Sequence, residues 1–336
     1  MTLIHTNSRE RSRQSLLFMV GALILALAAL SGCAETWKGP LVAPSQPMFL
    51  ADPEPRALGP LQLVSESDVR IVEKDAPTGT IAVEKTSIDT SVMVRASNGY
   101  QSVDFRLANH KGRVFRVQSL GVTEQGTFRF RFDYLQDGTI SLEGDERSSK
   151  AGPSLGKSYV MEVGRMGPRV FTADGGDPRP DELERVLDDG KDLLYLVAPR
   201  NPSAPPATSD VIALTTRKVL ERKGMEVQYV TASFKGVREI AGTPCAIFDL
   251  SVAAVIRETE EDQSTVVELK LSGEYALRLA DGWEAELLLT GSTHTTGHIR
   301  KNGAAIWVNA AGLARLHVAV TYREPELPSP GAVAGR

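Results

Sequence analysis

The chain has 336 residues, of which 42% are hydrophobic and 24% charged, and its formal net charge at pH 7 is −4. A mildly acidic chain without a block of basic residues lacks the electrostatic footprint of nucleic-acid binding, so we exclude nucleic acid as a partner. The sequence has two cysteines, Cys33 and Cys245, which allow at most one disulfide bond.

The N-terminal segment has the order of a secretory signal. Arg9, Arg11 and Arg13 precede an uninterrupted apolar run from Leu16 to Leu30. A run of about 15 residues fits the apolar region of a signal peptide, whereas a membrane-spanning helix needs roughly 20. We therefore expect residues 1–32 to be removed from the mature protein.

The apolar run leads through small residues into a cysteine, giving Leu30-Ser31-Gly32-Cys33. This tetrapeptide resembles the lipobox of bacterial lipoproteins. The resemblance implies cleavage before Cys33, diacylglycerol on its thiol and usually a third acyl chain, such as palmitate, on its amine. Two chains already give stable membrane anchoring, at about 0.8 kcal/mol per buried methylene. Lipoproteins kept at the inner membrane typically carry Asp where this chain has Ala34, so the resemblance implies the periplasmic face of the outer membrane.

Proline-rich stretches divide the rest of the chain. Residues 33–60 predict a lipidated, semi-extended tether that reaches at most about 80 Å. Pro199–Pro206 separates a β-rich first half, residues 61–200, from a β-rich second half, residues 207–324. The two halves could form one domain or two, and residues 325–336 predict a disordered tail.

Hydrophobic alternation with period two dominates both halves. In Thr127–Tyr134 the aromatic residues share one face, opposite Arg129 and Arg131, and Ala314–Tyr322 alternates in the same way. Such patterns are typical of antiparallel strands with one wet face. Tight turns are predicted at Asn98-Gly99, Lys111-Gly112, Asp137-Gly138, Ser272-Gly273, Asp281-Gly282 and Asn302-Gly303. We predict a mainly β protein of roughly a dozen strands. Its antiparallel curved sheet would form a sandwich or a half-barrel.

One or two short helices interrupt the strands. Pro180 and Asp181 mark the start of the first helix, and Gly190 is expected to end or bend it. The second is predicted from about Asp210 to Lys223, with Gly224 as its stop signal.

No catalytic residue and no cofactor is predicted, because nucleophile-elbow, phosphate-loop and zinc-protease motifs are absent from the sequence. His294 and His298 have the best local spacing for metal ligands. In a strand, however, they stand about 13 Å apart, and no third ligand is near, so we predict no metal site there. Cys245 lies among apolar residues and predicts a buried free thiol.

The body also loosely resembles β-rich domains of uncharacterised envelope lipoproteins, through Gly156-Lys157-Ser158-Tyr159 and Ala246-Ile247-Phe248-Asp249-Leu250. The first hypothesis is therefore a noncatalytic binding or scaffolding body, anchored to the membrane through Cys33 and contacting an envelope protein. The second is a lipid or hydrophobic-ligand carrier or acceptor, similar in kind to the half-barrel lipoprotein carriers. The third is an envelope hydrolase whose carboxylates are distant in sequence.

Overall fold

The computed structural model describes residue 49 and residues 56–71, 77–197, 208–260, 262–301 and 304–323. The strands are β1 (Ile81–Ser97), β2 (Ser102–Val122), β3 (Phe128–Glu143), β4 (Glu146–Ala151), β5 (Ser158–Gly164), β6 (Gly167–Thr172), β7 (Glu226–Ile240), β8 (Thr243–Glu260), β9 (Gln263–Arg278), β10 (Glu284–Lys301) and β11 (Ala304–Arg323). The helices are α1 (Pro180–Val197) and α2 (Ser209–Arg222). The predicted signal peptide, the stretch Pro199–Pro206 and the predicted tail 325–336 lie outside the described residues.

The eleven strands of the described residues belong to one antiparallel sheet in the order β6-β5-β3-β2-β1-β11-β10-β9-β8-β7, with β4 paired to β3. The first and last strands meet at its centre, where β1 pairs with β11 from Ile81↔Arg323 to Ser97↔Trp307. Strands from both halves of the sequence therefore form one sheet. The sheet is curved and does not close, which confirms the predicted fold class and favours the half-barrel over the sandwich.

Several strands are longer than the turn signals predicted. The turns at Asn98-Gly99 and Asp281-Gly282 are confirmed. Those at Lys111-Gly112, Asp137-Gly138 and Ser272-Gly273 are wrong, because these pairs lie inside β2, β3 and β9. Asn302-Gly303 lies outside the described residues.

Glycines inside the strands allow neighbouring backbones to approach closely. A Cβ atom on Gly273, Gly291 or Gly312 would overlap a carbonyl oxygen of the next strand. The three positions lie on adjacent strands and on the same face of the sheet as both helices. Glycines at such positions bend a sheet sharply. We call this side the concave face and the opposite side the convex face.

Three clusters of the described apolar core lie on the concave face, and a fourth, which contains Cys245 and Ile247, lies on the convex side of β8. Under α1, Val186 packs with residues of β2, β3, β5 and β6. Under α2, Ile212 packs with residues of β8, β9 and β10. The third cluster consists of Val92, Val94, Leu107, Ile299, Val308 and Ala310. Phe130 and Phe132 are buried in the first cluster, so the predicted aromatic face forms a sheet–helix core.

The first helix continues past Gly190 to Val197, so Gly190 does not end it. A Cβ atom on Gly190 would crowd the side chain of Met161, which is fully buried in β5. The glycine therefore lets the helix approach the sheet closely.

The second helix receives its N-terminal cap from a distant part of the chain. Its N-cap residue, Thr208, makes no capping hydrogen bond through its side chain. Instead, the Glu66 carboxylate accepts hydrogen bonds from the Ser209 backbone N–H at 2.7 Å and the Ser209 hydroxyl at 3.0 Å. Bridges from Leu58 and Gln62 to β7 hold the approaching chain against the sheet edge.

Candidate functional site on the concave face

A strip of half-exposed apolar surface lies at the centre of the concave face. In the described chain, neither helix-bound cluster includes a residue of β1, which lies between them. Ile88 of β1 is 40% exposed and pairs with Leu316 of β11, which is half-buried like Val318. We call Ile88, Leu316 and Val318 the apolar floor. Two neighbouring strands give it a width of about 10 Å, enough for a narrow apolar ligand.

Charged and polar side chains border this floor on the side of α1. They come from β2, β3 and α1, and all lie between the sheet and the helix. We call them the charged network, whose members are Lys111, Arg113, Tyr134, Asp137, Arg185 and Asp189. The alternation of β2 places Lys111 and Arg113 on the same face as buried Phe115.

The two carboxylates of the network have partners on both oxygen atoms. Asp189 forms an ion pair with Arg113 through Oδ1 and accepts a hydrogen bond from the Tyr134 hydroxyl through Oδ2 at 2.7 Å. Asp137 lies 3.6 Å from Arg185 through Oδ1 and accepts a bond from a backbone N–H through Oδ2 at 3.3 Å. The carboxylates therefore hold α1 on the sheet.

Burial shifts the acid–base equilibria of the network. It raises the pKa of Asp189, although Arg113 beside it acts in the opposite direction. Burial also raises the pKa of Tyr134. The Asp189 carboxylate acts in the same direction, because the tyrosinate would lie next to its negative charge. Burial, together with the positive charges of Arg185 and Arg113, lowers the pKa of Lys111 to about 8. The Lys111 ammonium group is thus poorly solvated.

The residues singled out from the sequence do not come together. Cys33 lies outside the described residues. His294 and His298 lie on the convex side of β10, where His294 Nε2 is 3.1 Å from Asn309 Oδ1 and the His298 ring centroid is 5.1 Å from that of Trp307. Among the described residues, no group of three or more His, Cys, Asp or Glu could hold a metal ion.

A polar cluster on the convex face escaped the sequence analysis. His110, which precedes the wrongly predicted turn at Lys111-Gly112, lies inside β2, where its Nδ1 is 2.7 Å from the buried Asp89 carboxylate. Arg315 donates to the other oxygen of Asp89 at 3.2 and 3.1 Å, and the ring of Phe49 lies over its guanidinium. The cluster joins three central strands and neutralises a buried carboxylate, which is a structural role.

The Cys245 thiol is buried as predicted. It lies 3.3 Å from the Thr243 carbonyl oxygen, to which it donates. Burial raises the pKa of Cys245 to about 11, so the thiol is protonated at neutral pH and is a poor nucleophile.

The fold and this site define a β-rich protein built on an open, curved sheet with an apolar concave face. No family model and no curated protein matches the chain. A solved outer membrane channel from Pseudomonas putida F1 is similar at 11% identity over 77% of this chain and 100% of that chain, with a TM-score of 0.19. A likeness at that score carries no argument about this chain. Neither described helix has the length and apolar content needed to cross a membrane.

Proposed function

We propose that this chain is a lipid-anchored envelope protein that binds the hydrophobic chain of a lipid on its concave face, without catalysis. The apolar floor carries the proposal, because Ile88 stays 40% exposed at the centre of a face that is otherwise largely buried. Covering apolar surface contributes about 25 cal/mol per Å², and an extended acyl chain has the shape to lie along two strands. The ion pairs of Asp137 and Asp189 give both carboxylates a structural role, which favours binding over hydrolysis.

The lipobox supports the proposed location of the protein in the cell envelope. An anchor on Cys33 holds the body at the periplasmic face of the outer membrane, beside a supply of lipid.

Replacing Cys33 with alanine tests the anchor. We expect the wild-type protein, but not Cys33→Ala, to incorporate a palmitate analogue during growth, because the thiol is the site of diacylglycerol attachment in the lipobox. The variant should also leave the membrane fraction after alkaline washing. Equal labelling of the two proteins would overturn the lipoprotein assignment.

Photocrosslinking of the intact lipidated protein in phosphatidylcholine vesicles tests the ligand. A trace phospholipid with a diazirine in its acyl chain should label two tryptic peptides that contain the floor, residues 86–95 and 316–323. Ile88→Trp should reduce this labelling about tenfold by filling the floor, since packed sites reject extra volume. The control is Leu135→Trp, at an apolar residue of β3 that is 55% exposed. Labelling outside the two peptides, or labelling insensitive to Ile88→Trp, would contradict the proposal.

A further inference from the structure

One end of the sheet carries exposed apolar side chains. β2 ends there at Val122, which pairs with Phe128 at the start of β3, and Phe128 pairs with Val163 of β5. The hairpin between β5 and β6 therefore lies beside the end of β2, and its Met166 side chain is 97% exposed. We call the exposed apolar residues at this end the apolar tip, whose members are Leu120, Val122 and Met166.

Arginines lie next to the apolar tip. Arg131 is on the convex face, the registers of β2, β3, β5 and β6 put three further arginines on that face, and the β5–β6 hairpin adds a fifth. We call this group the basic corner, whose members are Arg116, Arg129, Arg131, Arg165 and Arg169. The carboxylates in the same region are those of Glu124, Asp133 and Glu162. The corner therefore carries an excess of positive charge, although the whole chain has a net charge of −4.

The contacts of these arginines keep them at the surface. Arg116 and Arg131 share one carboxylate, that of Asp133, at 2.6 and 2.9 Å. Both arginine side chains are 45% exposed, and Arg165 and Arg169 are exposed as well. Guanidinium groups at a surface can donate pairs of hydrogen bonds to phosphate oxygens. The basic corner is therefore complementary in charge and in hydrogen bonding to anionic lipid headgroups.

The predicted tether is long enough to bring this end of the body to a membrane. The ring of Phe49 lies over the guanidinium of Arg315, on the same convex face as the basic corner. Cys33 precedes Phe49 by sixteen residues, which can span at most about 50 Å. From the spacing of residues and strands, Arg315 lies roughly 35 Å from the apolar tip. A lipid on Cys33 can therefore lie in the membrane that the tip contacts.

We infer that the apolar tip and the basic corner dock onto an anionic lipid bilayer, with Met166 entering the headgroup region and the arginines binding lipid phosphates. The inference rests on the proposed function, which supplies the anchor on Cys33. Burial of apolar side chains and attraction to anionic lipid both strengthen binding at a membrane interface. Each arginine near an anionic surface favours the docked state about fivefold.

The experiment places a bimane fluorophore on Met166→Cys in the intact lipidated protein. The buried Cys245 reacts slowly, and the proposed anchor blocks the thiol of Cys33. In vesicles of phosphatidylcholine with about one third phosphatidylglycerol, we expect nitroxide-labelled lipid to quench the fluorophore strongly. Quenching should fall about fivefold or more in phosphatidylcholine alone, and also in high salt, which screens the attraction.

Matched controls test the place and the charge of the contact. Tyr100→Cys carries the same fluorophore in the β1–β2 hairpin, at the opposite end of β2, where Tyr100 is 91% exposed. It should stay unquenched in both kinds of vesicle. Arg165→Glu combined with Arg169→Glu should abolish quenching at Met166→Cys. Lys270→Glu, at an exposed lysine on the convex side of β9, should leave it unchanged.

The outcomes separate this inference from the proposed function. Absence of quenching at Met166→Cys, or equal quenching at Tyr100→Cys, would overturn docking by this end. Equal quenching in the two kinds of vesicle, or quenching that survives the double substitution, would overturn the role of the arginines. In each case labelling of the apolar floor would be unaffected, and the proposed function would stand. A wild-type protein that washes off the vesicles would instead overturn the anchor, and with it the proposed function.

Discussion

Replacing Phe130 with alanine is expected to lower the free energy of unfolding by about 3–5 kcal/mol. The ring is 4% exposed and lies in the cluster beneath α1, so truncation leaves a cavity that the sheet and helix cannot readily close. Urea unfolding of the full chain followed by circular dichroism measures the change.

Arg131→Ala is the matched control, one position along the same strand. The Arg131 side chain lies on the convex face, where it is about half exposed. It forms an ion pair with Asp133. Asp133 keeps Arg116 and Ser158 as partners, so we expect a change within about 0.5 kcal/mol. Similar losses in the two variants would contradict the register of β3.

Gly291→Val is expected to cost about 4 kcal/mol or more, and to leave much of the chain unfolded or aggregated. A side chain at this position would overlap the backbone carbonyl of Lys270, which cannot move without opening the pairing of β9 and β10. Urea unfolding and the soluble yield after expression report the loss.

Thr290→Val controls for the introduced residue. Position 290 is the next residue of β10 and is exposed, and valine closely matches threonine in shape and strand preference. We expect little change in stability there. A Gly291→Val protein as stable as Thr290→Val would mean that the bend does not need glycine at this position.

The alternation of apolar and polar side chains correctly predicted which face of a strand is buried. The glycines, however, led to predicted turns at positions that lie inside strands. Phe130 and Arg131 lie on opposite faces as their alternation implies. A glycine occurs both in hairpin turns and inside strands, where the backbone of the neighbouring strand lies too close for a side chain. Ser272-Gly273 can be assigned to the second case only when β10 is known to lie beside it.

The candidate site was visible in part. Lys111 and Arg113 occur at the positions of β2 that Phe115 marks as facing the core, and that departure from the apolar pattern is a readable signal. Their partner Asp189 comes from α1, and nothing in the local sequence indicates which helix face meets which strand. The cap that Glu66 provides for α2 was hidden for the same reason, because the two groups are brought together only by the fold.

The central pairing of β1 with β11 has a consequence for how the chain reaches its native state. β1 is made before the other strands, yet one of its edges has no partner until β11 has been synthesised. Contacts between such distant segments make folding slow, and open edges invite pairing with other chains. A truncation within β11 would thus remove the central strand that joins β1 to β10, and not a strand at the edge of the sheet. Both parts of the sheet would then present long unpaired edges to other chains.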